Sequence, residues 1–499
     1  MFQYVALTLI TVPILIYWYI TRTFNYWKDR NVVTPKPVPL FGNWKEAALR
    51  RKNMNLVFEE IYKQFPNEKV VGVYRMTTPC LLIRDLDIIK HIMIKDFDLF
   101  PGRGVEFSQD GLGANLFHAD GELWRALRNQ FTPIFTSSKL KNMFHLITER
   151  GDKFIQHIES LKNPEHEIHR LIQKYTMSTI AACAFGLDLD NMDDKFPVLR
   201  RVDELVMAPS LALEIDMMFP GILKKLNSSL FPRFVSEFFS DLVEQIITER
   251  NKAPSNRKDF MDLLLELKNK GQVQTVKRNG ELEKQTIAIT DDIIAAQAFA
   301  FFIGGYETSA ATMTFLLYQL ALNPHIQDKL IAEIDEVITK HNGQVTYECL
   351  TDMVYLEQVF KETLRLFAIA DLMRNVVVDY KVPGTDVVLK KGQTVLISPR
   401  GIHHDPNLYP EPEKFDPERF SVENSANRHP CAYLPFGIGP RQCIGIRFAQ
   451  IQSRVGIVKL LTKFRVEPCN NTQRKMEYDP NRVIISPAGG IYMNLVKKS

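Results

Sequence analysis

The chain opens on an uncharged, mostly apolar run, Met1 to Ile20, about the length that crosses a bilayer as a helix. The run ends in Tyr17, Trp18 and Tyr19, and Arg22, Lys28 and Arg30 follow, the order expected of an interfacial aromatic belt with positive charge on one side only. A cleaved signal peptide wants a basic start and small residues at the cut, and this run has neither. Residues 1–21 therefore read as an uncleaved membrane anchor helix that leaves the rest of the chain in the cytosol; Pro13 can kink it without forbidding it. Residues 22–42 are basic and then place proline at 35, 37 and 39, the pattern of a stiff linker between membrane and body.

Beyond residue 43, VVGVYR and PCLLIRD have the short apolar pattern of strands. GELWRALRNQF and FVSEFFSDLVEQIITERN have helical spacing. The polar stretch from Lys268 to Gln285 reads as a mobile surface loop. A long helix is predicted from Asp291, with Thr290 as its N-cap, to Asn323-Pro324. Residues 376–396 alternate with turns like hairpin strands, and HHDPNLYPEPEKFDPERF is too rich in proline for regular structure. No internal repeat or second linker interrupts 43–499, which reads as one domain.

Composition changes this picture little. With 45% apolar and 24% charged residues the chain is of ordinary globular type. A net charge of +4 without a long Lys/Arg run argues against nucleic acid as a partner. The cysteines at 80, 183, 349, 431, 443 and 469 are scattered with no CxxC pair, which argues against a disulfide framework or structural zinc and suits a reducing compartment.

The chemistry concentrates in FGIGPRQCIG, Phe436 to Gly445. Gly437, Gly439 and Pro440 let the backbone curl around Cys443, and Arg441 two residues away favours a thiolate. An amphipathic helix follows, so the sulfur would sit just before a helix N-terminus. A lone thiolate held this way suits axial ligation of haem iron. A buried free cysteine is the bland alternative, and a nucleotide loop fails because Gln442 stands where a third glycine belongs. Inside the long helix, FFIGGYETSAAT groups Gly304, Gly305, Glu307 and Thr308. Glycine in a helix interior costs about 1 kcal/mol relative to alanine, so two in a row point either to a ligand against the backbone or to close helix packing. Thr308 can donate its hydroxyl to the carbonyl of Gly304, and an acid followed by a hydroxyl suits delivery of the protons that reducing dioxygen consumes.

Phe436–Gly445 matches F-x-x-G-x-R-x-C-x-G at every fixed position, and the glycine segment matches [AG]-G-x-[DE]-T-[TS]; on both, the chain resembles the cytochrome P-450 family. The resemblance implies the family fold, mainly α with a smaller β portion, and a haem-thiolate monooxygenase domain over 43–499. It implies haem b with Cys443 as the iron ligand, Phe436 in the same loop, and Thr308 and Glu307 as the catalytic proton-delivery pair. The propionates would be held by Trp124 and Arg128, which share a helix face, by Arg441, and by Arg374 and Arg103. Glu362 and Arg365, at i and i+3, would form with Arg419 a buried network that locks the meander under the haem loop. Electrons would come from NADPH through the flavins of NADPH–cytochrome P-450 reductase, with cytochrome b5 as a further partner. Arg125, Lys139, Lys141 and Arg447 would steer such an acidic partner.

FTSSKLKNMF and FFIGGYETS look most like insect microsomal enzymes that oxidise plant toxins and insecticides, in the endoplasmic reticulum membrane. Lipophilic substrates would meet Phe107, Phe117, Phe302, Ile303, Ile369 and Ala370. One departure matters: relatives follow Arg365 with a Leu-aromatic-Pro-Pro run, whereas this chain reads LFAIADLM, without either proline. The loop from Phe367 to Met373 is therefore expected to run differently and to govern substrate choice. A haem-thiolate isomerase or dehydratase, and a haem carrier or sensor without turnover, remain as alternatives.

Overall fold

The computed structural model describes residues 2–104, 111–187, 192–252, 259–269, 272–274 and 286–498. Its helices of eight or more residues are α1 (Phe2–Thr21), α2 (Met54–Gln64), α3 (Gly121–Phe131), α4 (Ser137–Ser160), α5 (Ile168–Ile180), α6 (Met192–Met207), α7 (Leu211–Met218), α8 (Arg233–Lys252), α9 (Phe260–Asn269), α10 (Asp291–Leu322), α11 (Pro324–Lys340), α12 (Val354–Leu366) and α13 (Ile446–Lys463). A four-stranded sheet has the order β1 (Val70–Arg75), β2 (Thr78–Ile83), β9 (Thr394–Ile397), β6 (Leu372–Asn375). β2 and β9 run parallel and the other pairs antiparallel. A second sheet orders β10 (Phe464–Pro468), β11 (Tyr492–Lys497) and β3 (Glu165–Glu167). Two ribbons pair β4 (Gln272–Gln274) with β5 (Thr286–Ala288) and β7 (Tyr380–Lys381) with β8 (Val388–Leu389). The molecule is thus mainly helical with a smaller sheet portion.

α10 is the axis. Thr290 caps it by accepting from the Ile293 N–H, and Pro324, which cannot continue a helix, opens α11. It is apolar nearly all round because it is buried on most sides, against α5, α8, α12 and α13. Side chains such as Phe315, Leu316 and Leu317 have no solvent exposure, and each such burial contributes about 1.5–3 kcal/mol. A second core forms around the β1–β2–β9–β6 sheet.

The N-terminal helix forms as expected, and its described apolar side chains, among them Leu9, Ile14 and Trp18, stand exposed. Among the described residues no helix is long and apolar enough to cross a membrane. The basic, proline-bearing segment is fastened to the body: Trp27 is buried with Nε1 donating to Val73 O at 3.2 Å, and Gly72 N donates to Val33 O at 2.8 Å. In the stretch expected to be a surface loop, 268–269 end α9 and 272–274 form β4, which pairs with β5 just beyond the stretch; the remainder, 270–271 and 275–285, lies outside the described residues.

Candidate functional site

The cysteine loop closes on itself. Cys443 N donates to Phe436 O at 2.9 Å and Gln442 N to Gly439 O at 2.9 Å. Gly439 sits at φ +79°, and a Cβ there would lie 2.0 Å from Met93 O, so only glycine fits this close approach. α13 starts at Ile446, placing the thiol just before a helix N-terminus as the sequence predicted. The expectation of a ready-made thiolate needs correction. Cys443 is solvent-accessible, yet protein crowds it and that desolvation pushes its thiol above the ordinary value, against the pull of the Gly445 N–H, Arg128 and Arg103. Arg441 is not among those influences. It turns the other way, donating to Ala119 O at 2.8 Å and Asp120 Oδ1 at 2.9 Å, with its guanidinium 4.3 Å above the Trp124 ring. Deprotonation thus falls to a bound cation, which strips a coordinating thiol outright.

The five residues expected at the propionates do come together. Arg103 lies 4.1 Å over the Phe117 ring, and burial with Arg128 pulls its pKa down to about 10 against Asp120 and Cys443. Arg374, on β6, is 1% exposed; burial, Arg103 and Arg441 press it well below the usual guanidinium value. Burial and Arg103 bring Arg441 to about 9. Three guanidiniums (103, 374, 441) therefore share one carboxylate, Asp120, and Arg128 lies beside them, near Arg103, Arg441 and Cys443. The Nε atoms of Arg103, Arg374 and Arg441 are buried without a partner. Buried cations without counter-charge are costly, so this excess calls for an anion with several acceptors. A dicarboxylate beside a cysteine ligand is what haem presents, and the donor set fits it.

The long helix sorts its motif by face. A Cβ on Gly304 would meet nothing within 4 Å, whereas one on Gly305 would strike Ile180 Cδ1 of α5 at 2.6 Å. Gly304 thus opens a groove and Gly305 lets α5 approach. One turn on from Gly304, Thr308 Oγ1 donates to Gly304 O at 2.8 Å. Gln452 of α13 donates to Gly305 O at 3.0 Å, tying the helix behind Cys443 to this turn of α10. Glu307 faces away from the groove. Fully buried, it accepts from Gln173 Nε2 at 2.7 Å and Arg482 Nη2 at 2.8 Å, with His169 Nε2 at 3.3 Å. Burial opposes its ionisation, but His169, Arg482 and Gln173 outweigh it and hold the acid at about 2. Arg482 also reaches Asp203 of α6 at 2.7 Å.

The charge network is built as expected. Arg365 Nε and Nη2 donate to Glu362 at 2.7 and 2.9 Å with neither side chain exposed. Asp416 N donates to Glu362 Oε1 at 2.9 Å, and Arg419 Nε approaches the same oxygen at 3.4 Å. The sequence missed His403 as part of it. Arg365 Nη1 donates to His403 O at 2.8 Å, and Leu434 N donates to His403 Nε2 at 2.9 Å. The imidazole thus joins the buried pair to the start of the cysteine loop; burial first, then His404 and Arg365, keep it neutral.

The apolar residues expected to meet substrate divide. Phe107 lies outside the described residues. Phe302 is 1% exposed and packs on Phe239 and Tyr306, so it belongs to the core; two residues from Gly304, helical rotation puts it on the opposite face. Phe117 is exposed beneath Arg103, Ile303 and Ile369 are half-buried and Ala370 is exposed. Of the cations expected to steer a partner, Arg125 pairs with Asp98 at 2.8 Å and Lys141 with Glu348, while Lys139 and Arg447 are exposed. Asp120 and Arg482 carried no sequence signal, since their hydrogen-bond partners Arg441 and Glu307 lie 321 and 175 residues away.

The cytochrome P450 family profile matches residues 33–495. Cytochrome P450 6B2 of Helicoverpa armigera is 58% identical over 488 residues, covering 97% of this chain and 96% of its own. Cytochrome P450 6B1 of Papilio polyxenes is 55% identical over 99% of each chain. Cytochrome P450 6a8 of Drosophila melanogaster is 38% identical over 96% of each.

Proposed function

The chain belongs to the cytochrome P450 family and is a haem monooxygenase, and we propose that it inserts one atom of dioxygen into lipophilic small molecules of the plant-toxin and insecticide type. Electrons come from NADPH through a flavin reductase, and α1 anchors the protein in the endoplasmic reticulum membrane with its body in the cytosol. The observation that carries the reading is the cluster of four guanidiniums, three of them facing the single carboxylate of Asp120, beside a glycine-wrapped cysteine. Arg103, Arg128, Arg374, Arg441 and Trp124 would hold the haem carboxylates, and Cys443 would supply the sulfur ligand to its iron. When bound, the haem supplies the oxygen-activating chemistry. The chain does the rest. Gly304 leaves room for a ligand against α10. Thr308 Oγ1, anchored on Gly304 O, holds a proton at the groove and can rotate to pass it on. Glu307, ionised and paired with Arg482 and His169, keeps a charged connection behind that hydroxyl. Phe117, Ile303 and Ile369 provide apolar walls, the exposed Lys139 and Arg447 suit an acidic redox partner, and the exposed apolar side chains of α1 suit lipid.

The test is reconstitution with NADPH, reductase and a library of lipophilic compounds under labelled dioxygen. The expected result is substrate-dependent NADPH oxidation and products carrying one labelled oxygen. Products formed without dioxygen would mean an isomerase or dehydratase, and haem binding with no substrate-dependent NADPH use would mean a carrier. Extraction of the full-length protein by alkaline carbonate alone would overturn the anchor.

A further inference from the structure

Two loops pack against α10. One runs from Phe367, stacked on Phe315 of α10 at 4.3 Å, to Arg374 in the guanidinium cluster. The other, 479–486, sends Arg482 to Glu307. They touch where Ile485 N donates to Ile369 O at 2.9 Å. The first lacks the prolines that would fix φ. The second holds Pro480 and closes through Asp479 N donating to Ser486 O at 2.9 Å; among the described residues it has no hydrogen bond of its own that fixes it against the first except the Ile485–Ile369 bond. Both instead converge on two asparagines more than 300 residues away in sequence.

Asn53 is fully buried and Asn55 is 2% exposed. Asn53 caps α2 by accepting from Asn55 N, and its Nδ2 points at three carbonyls of the second loop: Asp479 at 2.9 Å, Arg482 at 3.0 Å and Ile484 at 3.1 Å. Asn55 bridges the two loops. Its Oδ1 accepts from Asp371 N at 2.8 Å in the first, and its Nδ2 donates to Val483 O at 3.2 Å in the second. A buried amide is costly unless its donors and acceptor are met, so the geometry that satisfies both asparagines admits one register of the two loops. An apolar residue of equal size would leave those backbone groups unpaired and the register undetermined.

We infer that Asn53 and Asn55 are positioning residues that set the relative register of the loops 367–373 and 479–486, and through it the placement of the half-buried Ile369, a wall of the proposed substrate groove. In this chain the amide clamp takes over the stiffening that a proline pair would supply. Neither asparagine bonds to a haem-site residue or to the Glu362–Arg365 pair, so haem binding is expected to persist without the clamp. The inference rests on the proposed reading only in that small molecules occupy this groove.

The experiment titrates full-length holoenzyme with two nitrogen ligands of the iron, imidazole as a small probe and clotrimazole as a bulky one, by the shift of the Soret band. The variants are Asn55→Leu, which removes both loop bonds at similar volume, and Asp371→Pro, which removes the opposing N–H without touching the asparagine. The expected result is a change of at least about 5-fold in the ratio of the two dissociation constants in either variant. Imidazole alone should stay within about twofold, with an intact carbon monoxide band. If Asn55→Leu fails to bind haem, Asp371→Pro decides. A ratio within about twofold of the parent, or loss of the carbon monoxide band in both variants, overturns the inference and leaves the clamp a folding device. Because azole binding needs no turnover, absence of any oxidised product would sink the proposed substrate class while leaving this result standing.

Discussion

Gly304 and Gly305 are neighbours of one residue type in one helix, yet the structure assigns opposite signs to the same substitution. Replacing either by alanine relieves the helix-interior cost of glycine, about 1 kcal/mol. At Gly304 the new methyl meets nothing within 4 Å, so Gly304→Ala should stabilise by that amount, which at this chain length is about 1 °C in Tm. At Gly305 the methyl would lie 2.6 Å from Cδ1 and 3.0 Å from Cγ1 of Ile180, itself 1% exposed. Forcing extra volume into a packed interior costs about 1–3 kcal/mol, which offsets or exceeds the gain. Gly305→Ala should therefore be less stable than Gly304→Ala by about 1–3 kcal/mol. Trimming Ile180 should discriminate further. Ile180→Val alone costs about 1 kcal/mol as a lost methylene, but in the Gly305→Ala background that cost should shrink or reverse, a coupling expected only of groups in contact. Differential scanning of the ferric holoproteins measures the five stabilities, those of the parent, the three single variants and the double variant. The same Gly304→Ala protein should bind clotrimazole more weakly than the parent, because its methyl enters the groove. Equal stability of the two alanine variants, or an Ile180→Val cost identical in both backgrounds, would refute the assignment of faces.

Cys443→Ser should abolish the red-shifted carbon monoxide band of the reduced protein, because an alcohol does not ionise near neutrality; persistence of the band would reject the ligand. Thr308→Ala should retain haem but divert NADPH consumption to peroxide, and unchanged coupling with a well-oxidised substrate would remove Thr308 Oγ1 from proton delivery. Arg365→Lys cannot reproduce the paired donation to Glu362 and the bond to His403 O; soluble apoprotein without the carbon monoxide band is expected, and normal haem content would contradict the network's role. His404 is 1% exposed, and burial with Arg400 lowers its pKa from 6.5 to about 3. Its contribution is complete above pH 6.5 and is lost as pH falls toward 3, on the order of 5 kcal/mol in all. Urea midpoints should therefore drop between pH 6.5 and 5, and less steeply in His404→Gln; parallel profiles would show that this histidine is not the titrating group.

What the amino-acid order determined by itself was local. The turn glycines around Cys443, the Thr308 to Gly304 bond, the Thr290 cap and the i, i+3 pairing of Glu362 with Arg365 each involve residues within one loop or helical turn. At that range backbone geometry leaves few alternatives, and residue type with spacing is enough. The family resemblance extended this to the arginines of the haem site, which the structure brings together. Direction and partnership at long range were decided only by packing. Phe302 looked like groove and is core, because the rotation of α10 is set by α5 and α8, not by its own apolar content. Glu307 looked like an acid facing the groove and is instead locked to His169, Gln173 and Arg482, from α5 and a loop 175 residues on. Arg441 looked like the neighbour of the sulfur and turned to Asp120. His403 had no assigned place in the network and became a strut to Leu434. The two asparagines at 53 and 55 carried no signal at all, since a buried amide shows its function only when the carbonyls it must satisfy arrive from the other end of the chain.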